Sequence, residues 1–128
     1  MATPQELMQL GSQLVEFCNQ GKEADCQNQM YADNAVSVEA TPMPGADSPE
    51  AVGLDAIKSK SEWWFNTFEV HSMKAEGPFV HGDNQFSVIF DMDTTNKETG
   101  ERTQMRDIGQ YTVNDGQIVR EEFSYTLG

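Results

Sequence analysis

The sequence predicts an α+β fold in which helices cover one face of a curved antiparallel sheet. Three observations support this prediction. Apolar residues recur at helical spacing in the first half of the chain. In the second half they alternate with polar residues, as in half-buried strands. Near the end, Asn114-Asp115-Gly116 joins two such segments, and Asp-Gly is a strong hairpin signal because glycine adopts positive φ without strain.

Three helices are expected in the first half. The first begins at Thr3-Pro4, where threonine can cap the helix and proline suits its first turn, and it ends at Gly21. A short second helix covers roughly Glu23–Tyr31, and a third starts at Gly53-Leu54 and reaches about Thr67. The helical spacing predicts a buried stripe on the third helix, formed by Leu54, Ile57, Ser61, Trp64, Phe65 and Phe68.

The strands are expected between and after these helices. Ala35–Glu39 is a strand that follows the second helix, and the proline-rich stretch Ala40–Ala51 is interpreted as a loop. The later strand segments are Glu69–Gly77, Pro78–His81, Gln85–Thr94, Arg102–Val113 and Gln117–Tyr125. Alternation and the hairpin register predict that six side chains point at the helices, namely Phe86, Val88, Phe90, Met92, Val113 and Phe123.

Composition limits the classes of partner and the cellular compartment that we expect for this protein. The length of 128 residues fits a single domain spanning residues 1–128, and the net charge of −13 disfavours nucleic acid and anionic membranes as partners. The chain has no apolar run long enough to span a membrane and no signal-peptide pattern at its start. Its two cysteines do not form a disulfide framework, so we expect reduced thiols and a cytoplasmic location.

Glu121 is the leading candidate for acid–base chemistry. Alternation puts it on the face of the last strand that carries Val119, Phe123 and Tyr125. A carboxylate on a buried apolar face is costly unless it is paired, neutral or facing a cavity. We therefore expect a pocket and a raised pKa for Glu121, with a half-exposed glutamate at a sheet edge as the alternative.

Asp107 and Glu39 are further candidates. Asp107 lies on the inward face of the penultimate strand, and its alternative is a structural salt bridge with Arg102 or Arg120. Glu39 ends the first strand beside the proline-rich loop, where a carboxylate at a pocket mouth can exchange protons. The inward face that holds Asp107 also carries Met105, Gly109, Tyr111 and Val113.

Other polar residues give weaker signals. His71 and His81 are ten residues apart without the spacing of a metal motif, so no metal site is expected, and His71 is a candidate for the cavity wall. Asp91 and Asp93 alternate with the apolar face and are expected to face solvent or another subunit. The chain lacks phosphate-binding and dinucleotide motifs, and no cofactor is expected.

The order and spacing of several segments resemble the SnoaL-like branch of the superfamily that includes nuclear transport factor 2 and ketosteroid isomerase. These segments cover nearly the whole chain: Asn19–Lys22, Met30–Val36, Gly53–Ile57 and Tyr111–Val119. The resemblance implies a cone-shaped α+β fold in which a strongly curved antiparallel sheet wraps three N-terminal helices and encloses a deep apolar pocket. It also implies a homodimer, and the outer face with Ile89, Thr112 and Ile118 is the expected interface.

The resemblance also bears on the site. Ketosteroid isomerase combines a carboxylate base with a tyrosine and a protonated aspartate. These three positions correspond here to Glu39, Leu14 and Gly109, so one of three roles is kept and the ketosteroid isomerase reaction is disfavoured. The resemblance implies that the pocket side carries Asp107, Tyr111, Glu121, Phe123 and Tyr125.

The functional expectation is therefore a small-molecule-binding protein. One hypothesis is a cofactor-independent acid–base enzyme of the isomerase, cyclase or dehydratase type that acts on an apolar carbonyl or cyclic substrate, with Tyr111 or His71 as hydrogen-bond donor to the enolate. The alternatives are a ligand-binding module without turnover and a dimeric accessory domain. The expected ligand-binding residues are Trp63, His71, Met105, Tyr111, Phe123 and Tyr125.

Overall fold

Three helices and six strands make up the structure, a computed structural model that describes residues 2–42 and 44–125. The helices are α1 (Pro4–Asn19), α2 (Glu23–Met30) and α3 (Leu54–Thr67). The strands are β1 (Tyr31–Val38), β2 (Glu50–Val52), β3 (Phe68–His81), β4 (Gln85–Asn96), β5 (Arg102–Asn114) and β6 (Gln117–Ser124). None of the described helices is long and apolar enough to cross a membrane.

The strands form one curved sheet in the order β2-β1-β6-β5-β4-β3. The α+β cone is confirmed, with one refinement: β1 and β6 run parallel, whereas the other four pairings are antiparallel. No hairpin joins β1 to β6, since most of the chain lies between them, so no tight turn imposes an antiparallel direction. β2 lies partly within the segment predicted as a loop, and its three residues pair with β1 from Val36↔Val52 to Val38↔Glu50.

The helices pack on the concave face of the sheet. All six residues predicted to point at them do so, as Phe86, Val88, Phe90 and Val113 are buried and Met92 and Phe123 pack against that core. One close approach is at Gly11 of α1, where an added Cβ would lie 2.6 Å from the Cβ of Pro78. Any larger residue at position 11 would push α1 off the sheet.

A β-bulge in β6 changes which residues face inward. Val113 pairs with Ile118, but Thr112 pairs with Arg120, so Val119 is an extra residue. As a result Ile118 and Glu121 are both buried, at 0% and 4% exposure. The expectation that Ile118 lies on the outer face is wrong, because strict alternation does not continue through a bulge. The predicted hairpin is confirmed, with positive φ at Asp115 and Gly116.

Candidate functional site

A cavity of about 170 Å³ lies between the concave face of the sheet and the three helices. A cavity of roughly this size holds one benzene-sized ring. Its apolar wall consists of Leu14, Trp64, Phe65, Met73, Phe90, Met92 and Phe123. Its other lining residues are Cys18, Glu23, Cys26, Gln27, Tyr31, Glu39, Lys60, Ser61, Asp107, Tyr111 and Glu121.

Glu121 lies in this cavity wall and is almost completely buried. The Tyr31 hydroxyl donates a hydrogen bond to Oε1, and the Ser37 hydroxyl donates to Oε2 over 2.6 Å. Burial raises the pKa of Glu121, although both hydrogen bonds and the charge of Lys60 oppose that rise. The predicted burial is thus confirmed, the direction of the pKa shift agrees with the prediction, and the half-exposed alternative is wrong.

Lys60 of α3 connects Glu121 to a second carboxylate. Its ammonium group donates to the Ser37 hydroxyl and pairs with Oε2 of Glu39 at 2.8 Å. The Tyr125 hydroxyl donates to the other oxygen of Glu39 over 3.1 Å. A continuous chain of hydrogen bonds, here called the Lys60 network, therefore joins Tyr31, Glu121, Ser37, Lys60, Glu39 and Tyr125.

Sequence reasoning missed the lysine of this network. The signal was present, because Lys60 lies one turn after Ile57 and one turn before Trp64, on the side of α3 that faces the sheet. Its ammonium group also lies 5.4 Å from the centroid of the Phe123 ring, within cation–π distance.

Asp107 of β5 is a buried carboxyl group without an ion pair in the described part of the chain, and unlike Glu121 it accepts no side-chain hydrogen bond there. It is 9% exposed, and its Oδ1 atom makes no hydrogen bond to any described residue. The alternative of a salt bridge is wrong, because Arg102 pairs with Asp93 and Arg120 pairs with Glu122 and Glu50. Burial and the nearby Glu39 raise the pKa of Asp107 to about 6.

Tyr111 supplies a hydroxyl on the same face of β5. Its ring stacks on Phe86 with a centroid distance of 5.1 Å and meets the Phe123 ring edge-on. The ring leans over Gly109, where an added Cβ would lie 3.1 Å from the Tyr111 hydroxyl. Burial raises the pKa of Tyr111 well above its usual range, so the hydroxyl stays protonated and able to donate.

The structure does not bring three of the expected ligand-binding residues to the cavity. Trp63 lies off the buried side of α3 at 37% exposure, and its neighbour Trp64 lines the cavity instead. His71 is exposed and contacts the Thr95 hydroxyl at 2.7 Å, so the expectation that it lines the cavity is wrong. Met105 shares the face of Asp107 but lies one pleat nearer the start of β5, outside the cavity wall.

The three remaining expectations are met directly or through Glu39. Tyr111 and Phe123 line the cavity, and Tyr125 is linked to the cavity wall by its hydrogen bond to Glu39. Burial and Glu39 raise the pKa of Tyr125 to about 12, so its hydroxyl is a donor at neutral pH.

The thiols in the cavity wall are not reactive groups. Burial raises the pKa of Cys26 to about 12 and that of Cys18 still further, so both stay protonated at neutral pH. Across residues 2–42 and 44–125, no three His, Cys, Asp or Glu side chains are grouped in a way that could hold a metal ion.

Comparisons with known proteins place the chain in a family. A model of the SnoaL-like domain family matches residues 4–125. No curated protein matches significantly. A solved structure described as a candidate SnoaL-like polyketide cyclase (carbohydrate phosphatase) from Mesorhizobium loti is 38% identical, with a TM-score of 0.84 over 91% of this chain and 97% of that one.

Two more distant structures share the fold. A candidate isomerase from Bacillus subtilis is 17% identical, with a TM-score of 0.75 over 98% of this chain and 90% of that one. TerC, co-crystallised with polyporic acid, is 13% identical, with a TM-score of 0.72 over 94% and 92% of the two chains. The match to residues 4–125 and the 38% identical structure show that this chain belongs to the SnoaL-like family, within the nuclear transport factor 2-like superfamily.

Proposed function

We propose that this protein binds a small, mostly apolar carbonyl compound in its cavity and moves a proton on it without a cofactor. The observation that carries the proposal is Asp107, a carboxyl group without an ion pair in the described chain, whose pKa is raised to about 6. A general base works best when its pKa lies near the working pH. Tyr111, on the same face of β5, offers a protonated hydroxyl.

The proposed step places the substrate carbonyl between these two groups. Asp107 and Tyr111 are four residues apart on one strand, which separates their Cα atoms by about 13 Å at ~3.3 Å per residue. The Tyr111 ring leans back over Gly109, so its hydroxyl lies closer to Asp107 than the Cα separation alone would place it. Asp107 takes a proton from the carbon next to the carbonyl, the electron pair moves to oxygen, and Tyr111 donates a hydrogen bond to the enolate.

The other two candidate carboxylates have a positioning role in this proposal. Glu39 and Glu121 are already engaged by Lys60, Ser37, Tyr31 and Tyr125. Their charges hold Lys60 in the cavity wall, and Glu39 helps to raise the pKa of Asp107. Proton transfer through Asp107 then leaves the Lys60 network unbroken.

The relatives support a small-molecule ligand. TerC carries polyporic acid in its crystal, and the Mesorhizobium loti protein is described as a candidate polyketide cyclase. A cavity of about 170 Å³ accepts one ring, so a larger substrate would extend through the opening. The class proposed here is a cyclic or aryl ketone.

Hydrogen–deuterium exchange tests the proposal without knowledge of the natural substrate. Acetophenone, cyclohexanone and 1-tetralone are incubated with the protein in D₂O, and loss of their α-proton signals is followed by NMR. We expect exchange above the buffer rate, reduced about 100-fold or more in Asp107→Asn and about 100-fold in Tyr111→Phe. His71→Gln, which changes an exposed side chain outside the cavity, is the control and keeps the wild-type rate.

A non-catalytic ligand-binding module is the second candidate function. The observation that favours it is the presence of Leu14 and Gly109 at the two positions where ketosteroid isomerase has its hydrogen-bond donors. Ketones that bind in an NMR titration yet exchange only at the buffer rate would establish this function and rule out Asp107 as a base.

We also propose a homodimer formed through the convex face of the sheet. Ile108 is 47% exposed there, and it is the cross-strand neighbour of Ile89. Phe79 on the neighbouring edge strand is 46% exposed. Sedimentation at micromolar concentration is expected to give twice the chain mass of 14.3 kDa, and Ile108→Lys to shift it to one chain. A single-chain mass for the wild type would contradict the proposal.

A further inference from the structure

Two buried side-chain oxygens have no hydrogen-bond partner in the described part of the chain. They are Oδ1 of Asp107 and Oε1 of Glu23. Buried polar atoms almost always have a partner in folded proteins, so each exception calls for an explanation. Both side chains line the same cavity. A ligand in that cavity can supply hydrogen bonds to both carboxyl groups.

The two carboxyl groups belong to opposite walls of the cavity. Asp107 is on the sheet, whereas Glu23 is in the first turn of α2, which covers the concave face. Next to Glu23, Gln27 donates to the Ser61 hydroxyl over 2.8 Å, and this leaves the proton of Ser61 free to donate. Glu23, Gln27 and Ser61 are here called the helix-side polar group.

The space between the two walls is apolar. Trp64 of α3 and Phe90 of β4 line it, as do Met73 and Met92 of the two outer strands on that side. Flat aromatic and thioether side chains favour a ring as the body of the ligand. A ligand that reaches from Asp107 to Glu23 is therefore polar at both ends and apolar in the middle.

Charge in the cavity selects against anions. The described lining contains four carboxyl groups, those of Glu23, Glu39, Asp107 and Glu121, and a single cationic side chain, Lys60. Lys60 is already paired with Glu39. A carboxylate or phosphate ligand would thus lie beside carboxyl groups of like charge. It would find no unpaired cationic side chain in the described lining.

We propose that the helix-side polar group is a second binding subsite, and that the ligand is an uncharged ring compound with a hydroxyl group at the end opposite its carbonyl. The hydroxyl donates to Glu23 and accepts from Ser61. This inference rests on the proposed function only for the position of the carbonyl, which Asp107 and Tyr111 determine. Burial of Glu23, which raises its pKa, agrees with a partner that is uncharged.

Paired probes that differ by one hydroxyl group test the subsite. Binding of acetophenone, 3′-hydroxyacetophenone, 4′-hydroxyacetophenone and 4-acetylbenzoate is measured by NMR titration. We expect one hydroxylated isomer to bind about tenfold more tightly than acetophenone, and the carboxylate probe to bind most weakly. The preference falls below about twofold in Glu23→Met and is largely kept in Glu23→Gln, whose amide oxygen still accepts.

Controls separate this inference from the proposed function. Asp25→Asn alters an exposed acid on the same helix and leaves the preference unchanged. If Glu23→Met does not fold, Ser61→Ala takes its place, and we expect it to lower the preference for the hydroxylated probe. An equal preference in wild type and Glu23→Met, or tightest binding of the carboxylate, overturns the subsite. Exchange of acetophenone protons without a hydroxyl preference would overturn the subsite alone, whereas a preference without exchange would overturn only the proposed chemistry.

Discussion

The two faces of the sheet put the same side chain, aspartate, in opposite electrostatic situations. On the convex face, Asp93 accepts two hydrogen bonds from the Arg102 guanidinium, at 2.9 and 2.8 Å, and this arginine lowers the pKa of Asp93. On the concave face, Asp107 has no cationic partner in the described chain, and burial raises its pKa to about 6. Both residues lie in regular strands, so the face and the partner decide the chemistry.

The comparison extends to the whole of each face. Ion pairs on the convex face link neighbouring strands in water, such as Asp91 with Arg106. On the concave face, Lys60 is the single lysine of the described cavity lining. It pairs directly with the Glu39 carboxylate and is linked to the Glu121 carboxylate through the Ser37 hydroxyl. On the convex face, water can therefore replace a lost ion-pair partner. On the concave face, a polar group that loses its partner stays buried without a replacement partner.

The largest expected effect is on the concave face at Glu121. Glu121→Leu removes the acceptor of the Tyr31 and Ser37 hydroxyls, and an unsatisfied buried donor costs free energy. We expect the free energy of unfolding to fall by about 3 kcal/mol, measured by urea denaturation. Glu121→Gln keeps one acceptor and should lose less. Equal or greater stability of Glu121→Leu would mean that the carboxylate is a structural liability.

Asp107→Asn should change stability in a pH-dependent way. The folded pKa of about 6 exceeds the unfolded value of about 3.9, so the folded state binds more protons between these values and the wild type loses stability as pH rises from 4 to 6. The amide that replaces the carboxyl group in the variant does not titrate. We expect the variant to be close in stability to the wild type near pH 4 and to exceed it by about 3 kcal/mol above pH 7.

Urea denaturation across this pH range checks the Asp107 prediction. The exchange rate of a bound ketone should also rise through pH 6 in the wild type, because only the ionised carboxyl can take a proton. A stability difference that stays constant from pH 4 to pH 8 would show that Asp107 titrates normally and would remove the contrast with Asp93.

Lys60→Met should change the free energy of unfolding less than Glu121→Leu does, and it should alter the titration of Glu121. The ammonium group lowers the pKa of Glu121, so its loss should raise that pKa further. The Lys60 and Glu39 side chains are only 12% and 19% exposed, and leaving Glu39 unpaired should cost about 1–2 kcal/mol. Carboxyl-carbon NMR titration measures the first effect, and Lys60→Arg is the control. An unchanged Glu121 titration would contradict the coupling.

The smallest effect is expected on the convex face. Asp93→Asn removes the pair with Arg102, whose side chain is 61% exposed, so solvent replaces the contact that Arg102 loses. We expect no change in the urea midpoint outside measurement error and no change in ketone exchange. A loss of stability as large as that of Glu121→Leu would show that the two faces do not differ as described.

Sequence alone determined the local features of this protein. Period-two alternation in β4 placed Phe86, Val88 and Phe90 inward, and the Asp115-Gly116 turn determined the β5–β6 hairpin, because both signals depend on residues a few positions apart. The order of motifs identified the cone-shaped fold. The same alternation placed Asp107 and Glu121 on the concave face before any tertiary contact was known.

Only the tertiary structure decided which residues meet around those carboxylates. Tyr31 reaches Glu121 across 90 positions in the chain, and Lys60 reaches Glu39 across a loop and a helix start. The Val119 bulge buried Ile118, and the parallel pairing of β1 with β6 brought Ser37 beside Glu121. Such contacts depend on how a helix rotates against a curved sheet and where a strand shifts register, and no local pattern of residues encodes either.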